Sequence, residues 1–410
     1  MSEVATNLAK LIAGETISLR NSYLYNDPEI GLLYQWLRDH APAYRDTNGL
    51  VHVSRFADVA AIEHNAQRYT SSLGTVPLVD MAHDESMINL DDPHHAAHRR
   101  LIVRRFTPHG MKPHNERIQA IVASCIDGFA PLGHCDLISD LAAVLPAKVI
   151  SELLGFGDER WRDCERWARE TVGSANFLWD DPNVPDFMGA FVEFVSEVTE
   201  LIGQRRREPT DDLISLWIGS EIDGEPMSDK QIVEEALLVL DGGAETTRGV
   251  LGLGTLALLQ HPEQRARVVQ DPTLLERTAV EEMVRWVTPV QHMRRTVTEA
   301  HQLHDVFLHE GDQIVLLYGA ANRDERSIND PNTFDVGRSS NHHLGFGFGT
   351  HYCVGANLAR FEIRTCMEEL FRRLPDFKLA AGADPQPLPG MFTRGLESLP
   401  LEFTPERSRT

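Results

Sequence analysis

The stretch HHLGFGFGTHYCVGANLARFE, residues 342–362, sets four glycines and a histidine around one cysteine and then starts a helix near Gly355. Glycine lets a backbone come close to something flat and bulky. Backbone N–H groups at a helix start, with the helix dipole, stabilise a thiolate placed there. A structural cysteine needs no such approach. A cysteine whose sulfur must stay ionised and reachable does.

The rest of the chain bounds what that sulfur can serve. At 410 residues it can bury a substantial core. Its 39 basic and 61 acidic residues give a formal charge of -22, which argues against nucleic-acid binding, since that needs a basic face. The first thirty residues carry no basic start followed by an apolar run, and no later segment approaches about eighteen uninterrupted apolar residues. We expect a soluble, cytoplasmic protein with no membrane anchor. The five cysteines (Cys125, Cys135, Cys164, Cys353, Cys366) include no CxxC, which reads as a reducing compartment. All but Cys353 read as inert buried thiols.

Helical periodicity dominates, broken by short extended pieces such as LVHVSRF (50–56) and QIVLLYG (313–319). The expected fold class is mainly α with minor β, in one domain spanning 1–410. Residues 71–90 and 177–187 lack periodicity and mix apolar residues with Pro, Gly and Asp, as binding loops do. The longest helix is predicted from Ser228, the N-cap of a capping box with Gln231, to Gln260, where His261-Pro262 ends it. At about 1.5 Å per residue it would extend roughly 50 Å and must run through the interior. Its middle, DGGAETTRG (241–249), is poor helix material, so we expect the helix to open there for a ligand or water. GVLGLG (249–254) has glycines but no preceding strand, so it is not a dinucleotide fingerprint.

A thiolate held by a glycine-rich loop, with no other thiol nearby in sequence, suits a single axial bond to haem iron. The rivals are a cysteine nucleophile or a redox thiol. His351, two residues away in the same loop, is badly placed to act as the base that a nucleophile needs.

Phe346, Gly349, His351, Cys353 and Gly355 occupy every element of F-x-x-G-x-[H/R]-x-C-x-G. The segment resembles the haem-binding signature of the cytochrome P-450 family, and further motifs follow in the family's order. Glu282 and Arg285 match E-x-x-R, three apart and on one helix face, and Arg338 closes P-x-x-F-x-x-x-R. The resemblance implies a buried Glu–Arg–Arg cluster behind a haem b (iron protoporphyrin IX) held between the long helix and the cysteine helix. It assigns Cys353 as axial iron ligand, with Phe346, Gly347 and Gly355 against the ring. His95, Arg99, Arg295 and His351 would take the propionates, while His94 and His98 read as a solvated polar face. Gly242–Thr247 match [A/G]-G-x-[D/E]-T-[T/S], which implies that Thr246 positions dioxygen and a water and that Glu245 relays protons.

Nothing resembles a flavin or nicotinamide site, so electrons must come from outside. Arg99, Arg100, Arg104, Arg105, Lys112 and Arg117, with Arg360 and Arg364 after the cysteine, form a basic cluster expected to dock an acidic ferredoxin served by its reductase. Family alignment places Val76, Leu78, Val79, Met81, Val239, Ala244, Val290, Met293, Met391 and Phe392 in the substrate pocket, which suits a large apolar ligand. The texture of the whole chain is most similar to actinobacterial members that hydroxylate the terminal methyl of a cholesterol or cholest-4-en-3-one side chain, in some cases carrying it on to the acid. The alternatives are a hydroxylase of fatty acids, terpenoids or other secondary metabolites, a peroxide-driven haem enzyme without need of the Glu245–Thr246 relay, and a haem sensor or carrier.

Overall fold

The Ser228 hydroxyl accepts from the Gln231 N–H at 3.2 Å, and the Gln231 side chain accepts from the Ser228 N–H at 2.9 Å. From this reciprocal cap one α-helix runs Asp229–Gln260, 32 residues without interruption, and the next helix starts at Pro262. The computed structural model describes residues 2–79, 81, 83–177, 181 and 184–406, and helices account for most of it.

The expected opening at DGGAETTRG does not occur: the central helix stays continuous, and Thr246 Oγ1 donates to the Gly242 carbonyl at 2.9 Å. Packing supplies the reason. A Cβ added at Gly243 would stand 2.3 Å from Ile150 Cδ1, at Gly249 2.3 Å from the Arg394 carbonyl oxygen, and at Gly254 2.5 Å from Met283 Cε. The glycines let neighbouring elements press directly on the helix. That contact offsets the intrinsic helix cost of about 1 kcal/mol for each glycine. GVLGLG is therefore a packing surface inside a helix.

A five-stranded sheet flanks the helical core. It comprises β1 (Ala43–Arg45), β2 (Val51–Val53), β3 (Tyr69–Thr70), β4 (His292–Val297) and β5 (Gln313–Leu317), in the order β1-β2-β5-β4-β3. β2 and β5 are parallel; the other pairs are antiparallel. Val315 lies opposite both His52 and Arg294, and Leu317 opposite His292, so these residues share one face. Ile314, Leu316, Met293 and Arg295 share the other. Among the described residues no helix is long and apolar enough to cross a membrane.

The loop that leads to Cys353 is anchored by a buried carboxylate. Glu282, on the helix Val280–Val287, takes two hydrogen bonds of 2.7 Å from Arg285 and one of 3.1 Å from Arg338 Nε. The Asp335 N–H and Asn341 also donate to it, at 2.8 and 3.1 Å. Arg285 spends its remaining donors on the carbonyls of Asn322, Pro331 and Thr333. Glu282 and Arg285 are fully buried, so removing the acid strands charge in the core. Glu282→Ala should lower the free energy of urea unfolding by roughly 3–5 kcal/mol. A loss below about 1 kcal/mol would show that the cluster does not hold this segment.

Candidate active site

Between the central helix and the helix Ala356–Arg373 lies a cavity of about 1400 Å³ including its mouth. One wall is the face of the central helix carrying Gly242, Gly243, Thr246, Thr247 and Val250; the other is the loop 345–355. Gly347 and Gly349 take φ of +70° and +64°, a conformation open to glycine at little cost, and a Cβ on Gly349 would stand 2.7 Å from the Glu63 carbonyl oxygen. The Cys353 N–H donates to the Phe346 carbonyl at 2.8 Å, which turns the loop so that the sulfur faces the cavity with Phe346, Gly347, His351 and Gly355. The Phe346 ring is covered on its far side by Arg360, 4.3 Å from the ring centre.

Cys353 is open towards the cavity and ringed by protein elsewhere. Burial raises its thiol above the ordinary range, against the pull of the Gly355 N–H, Arg99 and Arg360. The helix start therefore does not ionise the sulfur unaided, as the motif alone suggests. A metal cation facing it would, since coordination deprotonates a thiol outright. The other cysteines behave as expected: burial pushes Cys125 up to about 11 and Cys135 and Cys164 to about 12.

At the cavity edge polar groups are left without protein partners. His95 is 2% exposed, its Nδ1 lies 3.3 Å from Asp92 Oδ1, and its Nε2 has no partner. Its ring centre is 4.4 Å from that of His351. Burial, then Arg295, His95 and Arg99, push His351 down to about 2. Arg99 donates to the Tyr352 carbonyl at 2.6 Å and has no acidic partner among the described residues. A buried cavity edge with a guanidinium free of acidic partners fits a flat ligand with anionic arms, as haem is. Arg295 lines the cavity as expected and is also paired with buried Glu63 at 2.6 Å, and Tyr318 donates to that acid. Glu63, in an ordinary helical stretch, gave no sequence signal.

The central helix separates residues that adjoin in sequence. Thr246 faces the cavity. Glu245, about 100° further round, does not line it and pairs with Arg248 at 2.9 Å; burial raises its carboxyl. Ala244 is likewise turned into the core, away from the cavity where alignment put it. Of the other expected pocket residues, Val239, Val290 and Met293 line the cavity. Val76, Val79 and Met391 line a smaller one. Leu78 is 44% exposed, Met81 packs beneath its loop beside Gly74, and Phe392 lies against His292 with 5.9 Å between ring centres. Met87, Ile88 and Ile150, unforeseen, complete the apolar wall.

Two buried acids were also missed. His98 is not on a solvated face: it is 4% exposed, and its Nδ1 is 2.8 Å from Glu235, which also accepts from the Met87 N–H at 2.8 Å. The pair ties the end of loop 71–90 to the central helix. Glu362 lines the cavity, leaves Oε1 without a partner, and faces the Thr247 hydroxyl; burial raises it to about 8. Its signal was legible, an acid on the apolar stripe Ala359–Ile363–Cys366–Leu370.

The basic cluster is largely spoken for. Arg105 pairs with Asp211, Arg117 with Glu152 and Asp158, Arg360 with Glu281, and Arg364 with Glu276. Arg100, Arg104 and Lys112 are exposed and have no acidic partner among the described residues.

A sequence profile described as Cytochrome P450 matches residues 183–396. A steroid C26-monooxygenase of Mycolicibacterium smegmatis is 38% identical over 399 residues, covering 97% of this chain and 98% of its own. A methyl-branched lipid omega-hydroxylase of Mycobacterium bovis is 38% identical over 328 residues, 78% of this chain and 75% of its own. A Mycobacterium marinum cytochrome P450 solved with pseudoionone superposes with a TM-score of 0.87 at 28% identity, over 95% of this chain and 99% of that one. What fold and cavity define, a haem-thiolate monooxygenase, the relatives share. The chain belongs to the cytochrome P450 family. It is an oxidoreductase that works with a haem-thiolate iron, dioxygen, an external redox partner and an apolar substrate.

Glu362 yields a pH prediction. The folded chain holds its proton up to about 8, above the ordinary 4.5, so the folded state binds more protons than the unfolded state between these values. Stability therefore falls as pH rises across that window, by up to about 1.4 kcal/mol per pH unit from this group. Glu362→Gln should leave stability at pH 5 nearly unchanged and raise it at pH 8. Urea unfolding at both pH values tests this, and equal slopes in the two proteins would refute it.

Proposed function

We propose that this protein hydroxylates the terminal methyl of a sterol side chain, that of cholesterol or cholest-4-en-3-one, with electrons from a ferredoxin and its reductase. The near full-length similarity to steroid C26-monooxygenases carries the reading. A cavity walled in part by Val239, Val290, Met293, Met87 and Ile88 supports it, because such apolar walls suit an aliphatic chain.

In this reading Cys353 would hold the iron of haem b, which when bound supplies oxygen activation. Phe346, Gly347 and Gly355 would border the ring. Arg99, His95 and His351 would hold its propionates, joined by Arg295 from within its Glu63 pair. Thr246 donates to Gly242, which leaves its Oγ1 lone pairs towards the cavity to accept a hydrogen bond from water. Glu245 takes up protons on the outer face of the helix beside Arg248, and Glu362, protonated at neutral pH, holds a second proton on the cavity side.

Titration of ferric protein with cholest-4-en-3-one should give a saturable shift of the haem absorption band, and turnover with ferredoxin and reductase should give the terminal alcohol by mass spectrometry. No shift and no product, with saturable binding of methyl-branched fatty acids instead, would favour the second reading, omega-hydroxylation of a branched lipid, which the Mycobacterium bovis relative supports.

The ferredoxin docks on the face left free by the ion pairs. Charge reversal of Arg104 and Lys112 to Glu should slow reduction by an acidic ferredoxin by roughly tenfold at low salt and leave haem content unchanged. Stopped-flow reduction at two ionic strengths measures this; an unaltered rate would move the docking site elsewhere.

A further inference from the structure

The central helix carries five glycines, and at four of them a neighbour occupies the place of a side chain. A Cβ would stand 2.3 Å from Ile150 Cδ1 at Gly243 and 2.3 Å from the Arg394 carbonyl oxygen at Gly249. At Gly252 it would stand 2.6 Å from Ile138 Cδ1, and at Gly254 2.5 Å from Met283 Cε. Gly242 is different. Beyond the helix's own backbone, a Cβ built there meets nothing within 4 Å. The residue lines the cavity that Cys353 faces and is exposed to it, although it sits in the middle of an interior helix.

The other reasons for a glycine are absent too. Gly242 lies inside the continuous helix and does not take a positive φ, so alanine would fit its conformation. Its carbonyl accepts from Thr246 Oγ1 at 2.9 Å, but every residue has that carbonyl. The pattern that residues 242–247 match admits alanine as well as glycine at its first position, so a methyl there is compatible with bound haem. Glycine inside a helix is less stable than alanine, and at this position no close contact offsets the difference. What the missing side chain leaves is room in the cavity. Val239, Gly242 and Thr246 all line it and stand three and four residues apart, so they follow one another along a single stripe. A Cα–Cβ bond tilts towards the helix N-terminus, so the vacant volume lies on the Val239 side of Gly242. Val239 is stiff at χ1 and Thr246 is held by its bond to Gly242, so neither turns to fill it.

We propose that Gly242 determines specificity for a branched chain end, the space beside Val239 taking the second methyl of an isopropyl group while the first is oxidised. The proposal rests on the sterol reading above. A cholestane side chain ends in one carbon that bears two methyls. Whichever of them is oxidised, the other has to be housed at nearly the same depth in the cavity. A straight chain makes no such demand. An apolar recess the size of a methyl, on the stripe that also carries Thr246, meets it.

The test compares cholest-4-en-3-one with its 27-nor analogue, which lacks one terminal methyl and so ends unbranched. Both are titrated into the wild-type holoenzyme and into Gly242→Ala, and the haem absorption band is followed. The wild type should bind the branched ketone about fourfold more tightly, as one more buried methyl provides. Gly242→Ala should weaken the branched ketone on the order of tenfold, because the recess is already filled, and leave the straight-ended one nearly unchanged. Urea unfolding of the ligand-free holoenzyme is the second readout. The added methyl meets open space and alanine suits a helix better, so the variant should unfold at a higher urea midpoint with the same haem content. Damaged packing does not give a gain in stability together with the loss of one ligand. Equal weakening of both ketones, or an unchanged preference between them, overturns the proposal while the sterol reading stands. A lower haem content or a lower urea midpoint in Gly242→Ala assigns the space to haem or to packing, and overturns it as well. Absence of any shift with either ketone in the wild type defeats the sterol reading itself.

Discussion

A 32-residue helix passes through the interior of this protein, and one wall of the catalytic cavity is a face of it. Its glycines decide how closely neighbours approach. Where Ile150, Met283 and the Arg394 backbone come in, a methyl group would collide. Where the helix faces the cysteine loop, Gly242 and Gly243 keep the surface low and Thr246 sets one hydroxyl on it. Space is left there because the helix is continuous and its side chains on that face are small. The same continuity turns Glu245 and Ala244 away from that space.

The opposite wall depends on charge buried for structural ends. Glu282 gathers two arginines, an asparagine and a backbone N–H, and through Arg285 fixes the carbonyls of Asn322, Pro331 and Thr333. The loop that follows can then afford two left-handed glycines and an exposed sulfur, since it does not have to hold itself in place. Beside it Glu281 is clamped by Arg360 and His343: burial pushes its carboxyl up, but they outweigh this and hold it at about 2. Arg360, so fixed, covers the ring of Phe346.

Around the cavity the electrostatics divide by task. The rim holds the Arg99 guanidinium, without an acidic partner among the described residues, beside the imidazoles of His95 and His351, and so favours anionic arms. Deeper in, Glu362 keeps its proton because no cation reaches it. His98 and Glu235 use the same pairing of imidazole and carboxylate for another purpose, docking the end of a loop that borders both cavities.

Much of this was legible in the sequence, because motifs carrying a local mechanism need little context. The capping box at Ser228, the Gly-rich run into Cys353, the E-x-x-R spacing and the short apolar run that makes β5 a strand are all settled within a few residues. What eluded the sequence are partnerships between distant segments. Glu63 against Arg295 spans 232 positions, Glu235 against His98 spans 137, and neither sits in a distinctive pattern. The ionisation of Cys353 could not be read either, since burial by the whole fold outweighs the helix start beside it. The sequence by itself determined which residues cap, turn and carry the chemistry, because those properties follow from covalent geometry and near neighbours. Only the tertiary structure decided which of them face the same space and which charges are already paired, because burial and long-range contact exist only once the chain has folded.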